Sequence, residues 1–263
     1  MNNLETVLKK KGEKSLFMAH MIAGYPSTKE SEQVAKALVH PDRSGGAQGG
    51  ADIIEMQIPF SDPMADGPTI AVACEEALRK GATVADSLAL LKVIAAFGKP
   101  VVVMSYLNPV FRIGLARFVE TIAASGASAL IVPDCPFDSE EGKELIAVCK
   151  ENNVFFIPVV SPGVPKERLE QLAPSSQGFV YCTTRQGITG ASSKFSKDLA
   201  DFVPQAKKIF NLPVAVGFGV KSKEDVRSLA KFADIVIAGS VFVDAIKKDG
   251  VVVIEKTMNQ LRI

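Results

Sequence analysis

The sequence predicts an α/β fold of the (β/α)8 TIM-barrel type, built as a single domain over residues 1–263, and three observations carry that expectation. The length suits one barrel, since such folds use roughly 250 residues. One unit also recurs: a short β-branched apolar run ends in Gly, Pro, Asp or Asn and is followed by a longer amphipathic stretch. Thirdly, the polar motifs fall just after the apolar runs, where barrels of this type place their chemistry. An open doubly wound sheet has the same local units. The number of units and the position of the motifs favour closure.

The strands are expected, in order, at Leu16 to Ile22, Ile53 to Gln57, Val101 to Ser105, Ala129 to Val132, Val154 to Val160, Phe179 to Thr183, Val214 to Val216 and Ile235 to Ala238. Helical periodicity lies between them, at Lys29 to Leu38, Val84 to Phe97, Arg117 to Ala124, Ser139 to Lys150, Lys166 to Leu172 and Lys223 to Lys231. Strict alternation implies parallel strands joined by right-handed crossovers, with both faces of the sheet buried. That accounts for runs as uniformly apolar as VVVMS and IVIAG. The glycine-rich stretch Pro41 to Gly50 precedes a strand rather than opening a helix, so it reads as a loop on the N-terminal face, away from any phosphate.

A formal charge of +1, with acids and bases interleaved, offers no basic stripe for nucleic acid. Apolar residues at 47% and charged residues at 22% leave enough apolar surface to bury, which excludes a disordered chain. Cys74, Cys135, Cys149 and Cys182 are widely spaced and read as reduced thiols. The lysine-rich first residues lack the apolar core of a signal peptide, and no apolar run is long enough to span a bilayer. The cytoplasm is the expected location.

The richest segment is Ile53 to Pro68, IIEMQIPFSDPMADGP. Period-two alternation puts Ile53, Glu55 and Gln57 on one face and Ile54, Met56 and Ile58 on the other. An anion is costly to bury in so apolar a strand, which suits Glu55 to general acid and base work. The competing reading pairs it with a lysine or arginine that only fixes register. Asp62 and Asp66 follow in a proline-rich loop. Asp62 reads as a turn or cap residue. Asp66 sits deeper, in a loop long enough to fold over the mouth.

The last three strands end in YCTTRQGITG (Tyr181 to Gly190), GFG (Gly217 to Gly219) and AGS (Ala238 to Ser240). Glycines let backbone N–H groups converge on a phosphate, and Ser240 is placed to open a helix whose N-terminus favours an anion. Serine-hydrolase, P-loop and dinucleotide signatures are absent. His20 and His40 lack a second ligand at metal spacing and read as packing or surface residues. A phosphorylated small molecule is the expected substrate.

The string E-M-Q-I-P-F-S-D-P-M-A-D-G-P resembles the signature of the tryptophan synthase alpha subunit family. Further likenesses run in order along the chain, at AGYP (Ala23 to Pro26), SYLNPVF (Ser105 to Phe111), VPDCP (Val132 to Pro136), RQGITG (Arg185 to Gly190), GFGV (Gly217 to Val220) and AGS. The resemblance implies a lyase that splits indole-3-glycerol phosphate into indole and glyceraldehyde 3-phosphate by retro-aldol cleavage. It implies Glu55 as acid and base, Asp66 as the holder of the indole N–H, Tyr181 as an active-site tyrosine and Thr189 in a closing loop. Gly190, Phe218, Gly219, Gly239 and Ser240 match the phosphate donors. No metal or cofactor is implied in this chain; pyridoxal phosphate would belong to a partner beta subunit, in an alpha2-beta2 tetramer.

Three positions depart from the family pattern: Gln57 replaces a glycine, His20 an aromatic residue and Ile22 a threonine. All lie at the ends of the first two strands. Gln57, on the face of Glu55, would crowd the indole or hydrogen-bond the carboxylate. Three functions therefore stay open: an active lyase served by a beta subunit, a weakened barrel kept as an allosteric partner, and a lyase releasing indole alone.

Overall fold

The computed structural model describes residues 2–39, 49–183, 197–217 and 219–262. Among the described residues nine parallel strand segments form one sheet: β1 (Leu16–Ile22), β2 (Ile53–Gln57), β3 (Val101–Met104), β4 (Ala129–Ile131), β5 (Phe155–Phe156), β6 (Val159–Val160), β7 (Val180–Cys182), β8 (Val214–Val216) and β9 (Ile235–Ala238). Their order is β5-β4-β3-β2-β1-β9-β8-β7-β6, so the two ends of the sheet are neighbours in sequence. β5 and β6 are two parts of one extended run, and this is how the barrel closes. The Ile157 amide donates to Leu130 O at 2.9 Å on one side, and Tyr181 N donates to Pro158 O at 2.9 Å on the other. Pro158 has no N–H to continue the first ladder, so the run changes partner there. The single strand expected over Val154 to Val160 is thus divided by its own proline.

Between the strands run α2 (Thr28–Val39), α3 (Pro68–Arg79), α4 (Val84–Ala95), α5 (Leu107–Ile113), α6 (Leu115–Ala124), α7 (Glu140–Glu151), α8 (Lys166–Leu172), α9 (Lys197–Phe210) and α10 (Lys223–Leu229), and α11 (Ser240–Asp249) follows β9; α1 (Asn3–Lys10) and α12 (Ile254–Leu261) lie at the two chain ends. Local chemistry explains several starts. Thr83 and Asp86 form a capping box on α4, and Ser222 and Asp225 form another on α10. Pro68 occupies the first position of α3, where its missing N–H costs nothing.

Alternation along each strand divides the core in two. Ile54, Met56 and Val103 face the helices, whereas Met18, Ile53, Val102, Met104, Ile131, Phe179 and Ile237 fill the barrel interior. Helix α1 plugs the N-terminal end of that interior with Leu4, flanked by Val7 and Leu8. Its cap residue Asn2 ties the plug down, donating through Nδ2 to Ser128 O and Asn153 O, both at 2.8 Å. Burying such side chains contributes about 1.5–3 kcal/mol each, so the interior layers are a principal source of stability.

The expected loop Pro41 to Gly50 falls mostly on residues 40–48, outside the described residues. No described helix is long and apolar enough to cross a membrane. All four cysteines are free and buried.

Candidate active site

Because Ile53 points into the barrel, the two-residue period of β2 points Glu55 and Gln57 inward as well, nearer the C-terminal mouth. Both are buried, at 2% and 0% exposure. β1 pairs with β2 so that Met18 lies beside Ile53, His20 beside Glu55 and Ile22 beside Gln57. The His20 ring consequently meets the carboxylate, with Nδ1 3.2 Å from Glu55 Oε2. The partner of Glu55 is therefore a histidine on the adjacent strand, rather than the lysine or arginine of the register-fixing reading. This also corrects the expectation that His20 is a packing or surface residue: strand register brings it to the carboxylate. Burial alone would keep the imidazole neutral, but the nearby charge of Glu55, joined by that of Asp66, outweighs it and raises the histidine above its ordinary pKa.

Asp66 arrives from the loop between β2 and α3. That loop folds back over the mouth, since Gln57 Nε2 donates to Asp66 Oδ2 at 2.7 Å and the Tyr106 hydroxyl donates to the same oxygen at 2.9 Å. Tyr106 also accepts from Ala65 N at 3.0 Å and stacks on Phe60, ring centres 5.2 Å apart. Desolvation raises the Asp66 pKa, against the pull of His20 and the two donors. Gln57 thus bonds the loop aspartate and not the glutamate that sequence reasoning allowed for. Asp62 stays exposed in a turn beside Ser61 and caps no helix, the start of α3 being Gly67 and Pro68.

Tyr181, on β7, is half-buried at the same mouth; burial first, then the nearby charges of Glu55 and Asp66, push its hydroxyl pKa well up. It acts there as a neutral hydroxyl. On the far side of β1 from β2, β9 ends at Ala238, Gly239 forms the N-cap of α11, and Ser240 is that helix's first residue. With no side chain to cap the helix, its first amides are directed at the mouth. Gly219 has a left-handed backbone (φ 75°) with open space where a Cβ would stand. Gly217 has a different reason to be glycine, because a Cβ there would collide with Ile237. Thr189, Gly190 and Phe218 lie outside the described residues. Among the described residues no three His, Cys, Asp or Glu side chains gather as a metal cluster.

Sequence reasoning named His20 only as a departure from the family pattern and gave Tyr106 no role. The first had a signal, since His20 shares an inward parity with Met18 at the end of an apolar strand. The second had only its place in the SYLNPVF string.

This constellation, an inward acid with a loop aspartate on one side and a glycine-capped helix start on the other, can be set beside known proteins. The family model described as "Tryptophan synthase alpha chain" matches residues 6–262. The chain belongs to the tryptophan synthase alpha chain family. Among its relatives is the alpha chain of Syntrophotalea carbinolica, 36% identical over 262 residues, covering 98% of this chain and 100% of the relative. That of Desulforapulum autotrophicum is 37% identical over 237 residues, 90% of each. Among solved structures, the Mycobacterium tuberculosis tryptophan synthase superposes with a TM-score of 0.87 at 36% identity, over 98% of this chain and 96% of that one. A Pyrococcus furiosus alpha subunit gives 0.82 at 31% identity, over 94% and 98%. These neighbours share the barrel fold, as the strand count led one to expect.

Proposed function

We propose that this chain is the alpha subunit of a tryptophan synthase, a cytoplasmic lyase that cleaves indole-3-glycerol phosphate to indole and glyceraldehyde 3-phosphate. The observation that carries the reading is a buried Glu55 carboxylate facing the mouth, with Asp66 folded over it and the uncapped start of α11 on the far side of β1. A substrate whose phosphate sits on the amides of Gly219, Gly239 and Ser240, with Gly190 and Phe218 completing the donors, brings its other end to Glu55.

Cleavage then needs two proton movements. Glu55 gives a proton to indole C3, and the ring nitrogen takes up the positive charge, which Asp66 stabilises through the N–H. The side-chain hydroxyl then returns a proton to the carboxylate while its O–H electrons form the aldehyde C=O. The broken C–C bond leaves its electrons in the ring and restores indole. Acid and base are regenerated, so the cycle requires no cofactor from this chain. Tyr181 lines the reacting end, and Thr189 belongs to the segment that closes over it. Pyridoxal phosphate belongs to the beta subunit, and the assembly is an alpha2-beta2 tetramer.

The test is release of indole from indole-3-glycerol phosphate, with and without a cognate beta subunit. We expect equal amounts of indole and glyceraldehyde 3-phosphate, formed faster with the beta subunit present. No indole under either condition would reject the reading, and if the chain still accelerated the beta reaction it would be an allosteric partner. Equal rates in both conditions would make it a lyase that works alone.

A further inference from the structure

Glu55 is not alone in the barrel. His20 is inserted from β1 at the same level, its exposure is 7%, and its Nδ1 lies 3.2 Å from Glu55 Oε2. The other edge of the ring lies against Gly239, where a Cβ would stand 3.1 Å from His20 Cβ and Cδ2. The imidazole therefore occupies the space between the carboxylate and the helix start assigned to the phosphate. Its Nε2 is buried and has no hydrogen-bond partner, and the same is true of Gln57 Oε1 and of Glu55 Oε2, so the 3.2 Å contact is an ion pair rather than an aligned hydrogen bond. An unpartnered buried nitrogen costs about 1–3 kcal/mol, so its retention calls for a return elsewhere.

We propose that His20 is a positioning residue for Glu55: its ring, with Nδ1 at ion-pair distance from Oε2, confines the carboxylate so that Oε1 faces the substrate. The inference rests on the lyase reading above and adds to it a residue that the reading does not require. The balance is simple. Glu55 gives its proton to indole C3 and takes one back from the side-chain hydroxyl, while the imidazolium keeps its own. No net proton or electron is needed from outside. Burial opposes the charged ring most, while among the described residues Glu55 and Gln57 on β2 and Asp66 on the loop that covers them favour the imidazolium and together prevail. The proton is thus retained as pH rises through 6.5, the ordinary histidine value, and is lost only above it.

Three variants separate positioning from packing. His20→Phe keeps the ring but removes both nitrogens. His20→Asn places an amide N–H near Nδ1, and His20→Gln places one near Nε2. With the beta subunit present, His20→Phe should lower kcat by about 10- to 100-fold, as a misplaced catalytic group does, with KM within about twofold. His20→Asn should recover most of kcat and His20→Gln little of it. In the wild type kcat should fall at alkaline pH as the imidazolium is lost, and His20→Asn should lack that limb. Because the chain has only two histidines, His40→Gln leaves His20 as a single imidazole signal for NMR titration. Its pKa should fall in Glu55→Gln.

An unchanged kcat and pH profile in His20→Phe, or an imidazole that titrates alike in the presence and absence of the Glu55 charge, would overturn the proposal. So would recovery by His20→Gln but not by His20→Asn. A wild-type chain that makes no indole would instead sink the lyase reading, and the NMR titration would still decide whether the two side chains are coupled.

Discussion

Asp66 Oδ2 receives both Gln57 Nε2 and the Tyr106 hydroxyl, so one loop carboxylate is held from the strand beneath it and from the loop after β3. Both donors favour the anion, whereas burial disfavours it more, and the carboxyl ends above its ordinary pKa. Tyr106→Phe removes one donor and the acceptor of Ala65 N, and it leaves the stack on Phe60 in place. Unfolding in urea should show a loss of about 1–2 kcal/mol, the usual cost of one such hydroxyl. The Asp66 pKa should rise further. Since Asp66 must be ionised to hold a ring N–H, the acid limb of kcat/KM should move to higher pH, and a limb that stays in place would separate Tyr106 from the site. Glu55, Asp66 and the face that Gln57 shares with Glu55 were legible in the sequence, because period-two alternation sorts a strand into two faces, whereas which face looks into the barrel was not. The contact of Gln57 with Asp66 was not, because it depends on how far a proline-rich loop folds back.

At the scale of elements, the strands were read closely and the helices less so. β1, β2, β8 and β9 begin and end where the apolar runs do, since a buried parallel strand announces itself by composition. Helix α1 passed unread, because its apolar residues Leu4, Val7 and Leu8 follow no strand and sit among lysines; their burial comes from the open end of the barrel. Helix α11 was read from its first residue. It carries no acidic residue in its first turn, although a helix start favours one. An anion from elsewhere explains the vacancy in chemical terms, and Ser240→Asp tests it. The new carboxylate should leave stability unchanged or raise it by about 0.3–1 kcal/mol. At the same time KM for indole-3-glycerol phosphate should rise at least about tenfold, through repulsion of the phosphate. An unchanged KM would place the phosphate away from α11.

For the whole molecule, the barrel separates stability from chemistry by its two ends. The N-terminal end is sealed by α1 and clamped by ion pairs. Arg262 grips Asp52 through two bonds of 2.7 and 2.8 Å, and Asp234 takes Lys11 and Lys207 at 2.9 and 2.8 Å. The C-terminal end holds His20, Glu55 and Gln57, whose buried polar atoms without hydrogen-bond partners cost stability and mark where function is served. Closure was legible as a count of repeating units. The means of closure was not, because a strand that changes partners at Pro158 still reads as one apolar run. The His20 and Glu55 contact escaped for the same reason: register between strands 35 residues apart is set by packing and not by either strand's own pattern.

The division of labour across the mouth is tested most directly with Glu55→Gln, by measuring indole release and, separately, affinity for glyceraldehyde 3-phosphate. Removing the acid and base should lower kcat by about a thousandfold or more, within the range that general acid and base groups supply. Affinity for the phosphate ligand should stay within about twofold, because its donors lie on other strands. Turnover near the wild-type rate, or a loss of phosphate affinity in step with turnover, would contradict the account.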